Sequence, residues 1–271
     1  MINSNLLERV RPWIEASLGY DLSDARGDRP TLGETPVGVD VGPFFAVRID
    51  DIVAVSARIE WHDQLRTVLD DIHPDLLFSV AGTYELSRIT LPDGVAVWGP
   101  VPCYVADEST WRSVNDARVV RLTDEQVADI DWSVFWHCAG ADALAHFGIF
   151  EDEKLVSLSS VVDQGHKVYE IGVDAIRGSQ ARGLGTAVVG AAGDWILEQG
   201  ATPFASAAAW NIPSGRSLRR VGMKYTYSAL ISREGEFMVQ PQPIGQPLPG
   251  QAVFDMYPRW AMNKDILEKP E

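Results

Sequence analysis

The chain is poor in cysteine and in basic residues, and it has no long apolar run. Two cysteines in 271 residues, Cys103 and Cys138, are too few for a disulfide scaffold. Placed so far apart they read as reduced thiols of an intracellular protein, with a single bridge left open. No stretch approaches the ~18 consecutive apolar residues of a membrane span. The opening residues carry Glu8, Arg9, Arg11 and Glu15 where a secretory leader would be apolar. A cytoplasmic protein with no membrane partner is therefore expected. Lys plus Arg number 23 against 38 Asp plus Glu, a net charge of −15. Such a surface repels phosphate backbones, which argues against nucleic-acid binding. It would attract cationic small molecules or basic peptides, although solubility is the plainer explanation. The histidines are scattered with no pair at ligand spacing, so no metal site is expected. There is no fixed-period repeat and no heptad.

What is present is the composition of a globular protein, 46% hydrophobic and 23% charged. Three regions separate. Residues 1–117 mix helix and strand signals without a chemical motif. Leu6, Val10, Trp13 and Ile14 share one helical face that Pro12 is expected to interrupt or bend. Residues 44–59 read as strand, Leu65, Val68, Leu69 and Ile72 have helical spacing, and Pro74 can open a further helix. Residues 94–106 read as a strand pair around Gly99 and Pro100. The second region, residues 118–232, starts with a capping box, Thr123 with Gln126. Residues 146–150 and 155–161 form a hairpin pattern, and 167–173 add a third strand. The third region, 233–271, is rich in proline but keeps Phe254, Met256, Tyr257 and Trp260, so it is expected to lie ordered against the body.

The chemistry is concentrated after the third strand. There the sequence runs through Gln180, Ala181, Arg182, Gly183, Leu184, Gly185 and Thr186 into a helical stripe of Leu184, Val188, Ala191 and Trp195. Glycines at a helix start let backbone approach a ligand. The unpaired N–H groups and the helix dipole of the first turn suit an anion, pyrophosphate above all. The segment has no Gly-Lys-Ser/Thr and no G-x-G-x-x-G order, which excludes a nucleotide P-loop and a dinucleotide fingerprint. Further on, Asn211 precedes a short helical segment that stops at Gly222, followed by Met223 and an alternating run Tyr225, Tyr227, Ala229 and Ile231.

The order from Gln180 to Gly185 resembles the Q/R-x-x-G-x-G/A motif of the GNAT acyltransferases, and Asn211 to Met223 is similar to that family's second motif. The resemblance spans about residues 118–232. More loosely, the first half is similar to the N-terminal extension of a two-domain bacterial branch. What this implies is an α/β (α+β) fold, a mixed and mostly antiparallel sheet flanked by helices, preceded by a smaller α/β domain at 1–117. That smaller domain would supply a wall of the acceptor pocket. The fourth and fifth strands of such a fold splay to admit acetyl-CoA. Its pyrophosphate would lie on Gln180, Ala181, Arg182, Gly183, Leu184, Gly185 and Thr186, and its pantetheine along the backbone of Ile171 and Val173. Asn211 and Ser214 would also face the coenzyme. Acetyl-CoA is thus the expected co-substrate, and no metal is implied.

The implied reaction is direct acetyl transfer to a primary amine. Glu170, ten residues ahead of Gln180, is the candidate general base, against the plainer reading of a structural carboxylate. Many family members carry a tyrosine seven residues after the Asn to protonate the leaving thiolate. Leu218 stands there in this chain, so Ser217 is the first substitute, with Ser214, Tyr225 or water behind it. His137, beside Trp136 and Cys138, reads as a core histidine, while His146 and His166 adjoin turns and read as solvated. Trp136, Trp195 and Trp210 read as core. Arg177 and Arg182 are phosphate candidates, and Arg216, Arg219 and Arg220 read as a solvated face. A non-catalytic acyl-CoA sensor is the alternative function, and a protein-lysine acyltransferase a third. A homodimer is left open, and the acceptor is not named by the sequence.

Overall fold

Leu6, Val10, Ile14 and Leu18 recur every four residues, and all four are fully buried. That stripe makes the first helix, α1 (Ser4–Leu18), and each of the four side chains contributes about 1.5–3 kcal/mol of burial against the sheet beneath. The helix runs straight through Pro12, which corrects the expected interruption. Pro12 lies on the exposed side, so its missing N–H and its ring are turned away from the packed face. A computed structural model describes residues 4–25, 27, 29–38, 41–138, 140–176 and 183–237. The elements after α1 are β1 (Thr31–Glu34), β2 (Phe44–Ile49), β3 (Ile52–Ala57), α2 (His62–Asp71), α3 (Pro74–Leu77), α4 (Val80–Thr90) and β4 (Val95–Val105). They continue with β5 (Val119–Arg121), α5 (Asp124–Ala128), β6 (Ala145–Glu151), β7 (Lys154–Asp163), β8 (Val168–Ala175), α6 (Leu184–Glu198), β9 (Thr202–Ser206), α7 (Ile212–Arg220) and β10 (Lys224–Glu234).

All ten strands join one sheet, ordered β1-β3-β2-β10-β4-β9-β8-β7-β6-β5. Only β1 with β3 and β8 with β9 pair in parallel; the other neighbours are antiparallel. This is the mixed, mostly antiparallel α/β architecture expected from the sequence. One face carries α1, whose stripe packs on Phe45, Val47, Cys103, Val168, Phe204 and Tyr227. On the other face, α2 to α4 cover β2, β3 and the start of β4, and α6 and α7 cover β6 to β9.

The sheet is continuous across residue 117, because β4 from the first half lies between β9 and β10 of the second. Residues 94–106, expected as a strand pair, form this single strand. A register shift between Ala229↔Val101 and Ile231↔Trp98 marks a bulge at Gly99 and Pro100. The bulge reverses facing: Val95 and Val97 pack beneath α4, whereas Cys103 and Val105 pack beneath α1. The segment after β4 then grips the second half. Trp111 Nε1 donates to Asp194 Oδ1 at 2.7 Å, and its ring lies where any side chain at Gly193 of α6 would stand. Arg112 N–H donates to the Val221 carbonyl at 2.9 Å. Cys103 and Cys138 are buried free thiols. Among the described residues, no helix is long and apolar enough to cross a membrane.

The interlocking has a direct consequence. A fragment that starts at residue 118 loses β2 and β4, which leaves β10 with no partner on either edge and β9 with only its short pairing to β8. It should show no cooperative thermal transition by circular dichroism, and a sharp native-like melt would contradict this account of the sheet.

Candidate functional site

β8 and β9 pair over three positions, Val168↔Thr202, Tyr169↔Pro203 and Glu170↔Phe204. After Glu170 they part. β8 continues to Ala175 with β7 along its other edge, while Ala205 and Ser206 of β9 pair with Tyr104 and Cys103 of β4. Among the described residues, the β9-side edge of β8 beyond Glu170 is thus left without a strand, and Ile171 and Val173 lie on that stretch. Their side chains belong to the core beneath α6, so what they can offer a ligand is backbone.

The start of α6 borders the same gap. Gly183 is its N-cap with φ +80°, a left-handed conformation that glycine adopts without a Cβ penalty. Among the described residues no side chain caps this end, and its first turn holds no acidic residue. The first rung of the helix is Ala187 N–H to the Gly183 carbonyl at 3.0 Å. By helix geometry the N–H groups of Leu184, Gly185 and Thr186 precede the ladder. Leu184 itself is core. A Cβ at Gly183 would meet open space, and one at Gly185 would meet only Val173 Cγ2, at 3.7 Å. Gln180, Ala181 and Arg182, and Arg177 before them, lie outside the described residues.

Asn211 caps α7, its Oδ1 accepting from Ser214 N–H at 3.2 Å, so these two expected coenzyme contacts are first a helix cap. Thr186 Oγ1 donates to Ser217 Oγ at 3.1 Å and ties the first turn of α6 to α7. Leu218 is buried in the core under α6. Tyr104 of β4, for which no sequence signal exists, has its hydroxyl against Gly215 of α7: a Cβ there would stand 3.4 Å from it. Burial raises the Tyr104 pKa, with Arg219 acting against it.

Glu170 faces away from Tyr169 and Ile171, as strand alternation requires. Tyr169 stacks on Trp195 of α6, whereas Glu170 lies on the α1 side of the sheet. Gln164 Nε2 donates to its Oε2 at 2.8 Å and Ser206 Oγ to its Oε1 at 3.1 Å. Burial raises its pKa above the ordinary glutamate value, and those two hydrogen bonds offset part of the rise. Ser206 pairs in register with Cys103, and Cys103 with Tyr227. The Tyr227 hydroxyl is buried with no hydrogen-bond partner among the described residues, and burial, Cys103 and Glu170 together push its pKa up. A polar row therefore crosses four strands where the gap opens. Only the strand register assembles it, which is why the sequence did not reveal it.

Three readings of single residues are corrected. His137 is exposed, not core, and its ring pairs with Asp174 of β8. Trp136 is 64% exposed, because the local core is filled instead by Phe135 and Cys138 on either side. His146 is buried, its Nε2 at 2.9 Å from the Gly140 carbonyl, instead of solvated. Among the described residues no group of three or more His, Cys, Asp or Glu is arranged to hold a metal.

No family model matches the chain, and no curated protein matches it. Among solved structures it is similar to a GNAT-family protein from Novosphingobium aromaticivorans, at 16% identity and a TM-score of 0.44, over 53% of this chain and 69% of that one. A GCN5-related N-acetyltransferase from Kribbella flavida aligns at 17% identity and a TM-score of 0.42, over 56% and 64% of the two chains. A GNAT-family acetyltransferase from Colwellia psychrerythraea aligns at 12% and 0.41, over 69% and 79%. Likenesses of this size do not extend to residue roles or to a reaction.

The raised Glu170 pKa links to stability with a definite sign. The folded state favours the protonated carboxyl, so this contribution is full below the ordinary glutamate pKa and is lost as pH rises through the raised folded value. Wild-type stability should therefore fall relative to Glu170→Gln across that interval and then level off. Chemical denaturation of both proteins at stepped pH reads this, and a difference flat in pH would contradict the burial argument.

Proposed function

We propose that the protein is an acetyl-CoA-dependent N-acetyltransferase of the GNAT type, acting on a primary amine by direct transfer. One observation carries the reading: among the described residues β8 and β9 part after Glu170, beside a helix start with no side-chain cap and no acidic residue in its first turn. The first-turn N–H groups of α6 suit a pyrophosphate. The free edge of β8 at Ile171 and Val173 suits the amides of a pantetheine arm, and an extended chain fits where a strand is missing. Gln180, Ala181 and Arg182 extend the same phosphate cradle in this proposal.

Catalysis here is chiefly positioning of an amine against a thioester carbonyl. Glu170 accepts the amine proton as the nitrogen attacks, and the burial that raises its pKa makes it a stronger base than an ordinary carboxylate. Ser217, linked to Thr186, is the donor proposed for the departing thiolate. Residues 1–117 add a wall of the acceptor side through α1, where Trp13 packs on Phe204 with ring centroids 5.2 Å apart. The charge of −15 favours a cationic acceptor in a cytoplasmic setting. A coenzyme-binding sensor without turnover is the second reading. It is favoured by Leu218, which lies in the core and has no proton to give.

Two variants test the coenzyme site. Gly185→Val adds bulk in the gap beside Val173, and Gly183→Asn adds a side chain in open space with little strain, since Asn tolerates φ > 0. Each should weaken acetyl-CoA binding roughly tenfold or more by calorimetry, with the melting temperature largely kept. Unchanged affinity in both folded variants would remove the coenzyme from this site. For the base, Glu170→Gln should keep coenzyme affinity and lower the rate of thiol release with an amine acceptor about 10²- to 10⁴-fold. Coenzyme binding without thiol release over a panel of amines would favour the sensor.

A further inference from the structure

Tyr227 is fully buried, and its hydroxyl has no hydrogen-bond partner among the described residues. A phenol in a core nearly always finds one, since an unpaired donor keeps its whole desolvation cost. Phenylalanine would fill the same space without that cost, so shape alone does not account for the oxygen. The direction of the side chain narrows the choice of partner. Its ring lies nearly parallel to Phe204 of β9, at 9° with centroids 6.4 Å apart, so from β10 it leans across β4. On β4 its register partner is Cys103, and the partner of Cys103 on β9 is Ser206. Ser206 Oγ donates to Glu170 Oε1 at 3.1 Å, and Phe204 is the register partner of Glu170. Tyr227 thus leans towards the stretch of β9 that Glu170 reaches from the other side, and the Glu170 charge is close enough to raise the Tyr227 pKa.

The groups around this row are few. The Cys103 thiol, beside the hydroxyl, donates to the Val101 carbonyl at 3.6 Å and is a weak acceptor. Glu170 accepts from Ser206 and Gln164, and an ionised carboxylate has room for about four such bonds. α1 covers the row with Leu6, Val10 and Ile14, while its charged residues pair with one another and with Glu108 at the surface. β7 sets Val162 opposite Glu170. In the turn between β7 and β8, Asp163 accepts from Gly165 N–H, and His166 and Lys167 are exposed. Among the described residues the titratable groups that face Glu170 are therefore Cys103 and Tyr227. We propose that one buried water links the Tyr227 hydroxyl to the Glu170 carboxylate, and that Tyr227 is thereby a positioning residue that favours the ionised form of Glu170. The hydroxyl donates to the water and the water to the carboxylate, with Ser206 Oγ as a further polar neighbour, which gives the water the two to four partners it needs. A hydrogen bond to the charged form opposes the desolvation that keeps Glu170 protonated. The consequence for catalysis rests on the acetyltransferase reading above, because Glu170 accepts a proton only once ionised. The link itself does not rest on that reading.

Four full-length proteins test the link by chemical denaturation at stepped pH: wild type, Glu170→Gln, Tyr227→Phe and the double variant. Tyr227→Phe keeps the ring on Phe204 and removes only the oxygen. In the tyrosine pair, stability falls relative to the glutamine variant until Glu170 is ionised in the folded state, and then levels off. In the phenylalanine pair the levelling-off should come about one pH unit higher, the tenfold change of losing one hydrogen bond to a charged group. A high-resolution crystal structure of the wild type should show one water within hydrogen-bond distance of both Tyr227 Oη and a Glu170 carboxylate oxygen. Levelling-off at the same pH in both pairs, with Tyr227→Phe changing stability only by a constant, would make Tyr227 a packing residue and overturn the inference. So would a crystal structure in which the hydroxyl meets Cys103 alone. Neither measurement needs coenzyme or acceptor, so the acetyltransferase reading is judged separately. For that, the acidic limb of kcat/KM is followed with O-benzylhydroxylamine, which is neutral at pH 7 and leaves the limb to the enzyme. In Tyr227→Phe the limb should move up by the same amount, with acetyl-CoA affinity unchanged. A limb that stays while the stability curves move apart supports the link and removes Glu170 from the reaction.

Discussion

β9 lies between β4 and β8, and the end of its pairing with β8 after Glu170, while β4 stays paired with it through Ser206, is the constraint on which the rest of the site depends. Phe204 of β9 pairs with Val105 of β4 on one edge and with Glu170 of β8 on the other, and beyond it Ala205 and Ser206 pair with β4 alone among the described residues. β8 then runs on alone along its open edge, and a sheet interior acquires a gap with backbone polar groups on its rim. Unpaired strand edges are ordinarily a hazard that folds cover or blunt. Here the stretch is short and lies next to the start of α6, where a Cβ at Gly185 would meet Val173 Cγ2.

The same pairing makes the first half part of the site. β4 reaches its place between β9 and β10 from the first half, and the bulge at Gly99 and Pro100 sets which of its side chains face α1. Cys103 thereby meets Ser206 and Tyr227 on the Glu170 side, while Tyr104 meets α7 on the other. Glu170 with its hydrogen-bond partners lies on one face of β8, and the start of α6, the proposed phosphate site, lies on the opposite side. That division suits a reaction in which a coenzyme and an acceptor arrive from different sides of one sheet.

Local features were legible in the sequence. The capping box formed as read, with Thr123 and Gln126 exchanging both hydrogen bonds, and Asn211 caps its helix. The hairpin of β6 and β7 followed from turn chemistry, whereas of the stripe read on α6 Leu184 and Val188 are buried and Ala191 and Trp195 only partly, the buried face running instead through Val189, Ala192 and Ile196. Contacts set by register were not legible. Nothing near Glu170 in sequence announces Ser206, and nothing near His137 announces Asp174, 37 residues away. An apolar neighbourhood made Trp136 and His137 look like core, yet the segment has no regular structure to bury both, and Phe135 and Cys138 fill the space. Pro12 misled in the opposite direction, since a helix face turned to solvent tolerates it.

The central claim is that acetyl-CoA occupies the gap between β8 and β9, with its phosphates on the start of α6. An amide-resolved NMR titration with acetyl-CoA tests this most directly. The account expects the largest shifts at residues 171–175 and 183–186, on the two walls of the gap. Saturable binding whose shifts leave both segments unmoved, or fall instead around the cavity lined by Arg58, Asp93 and Glu234, would contradict it.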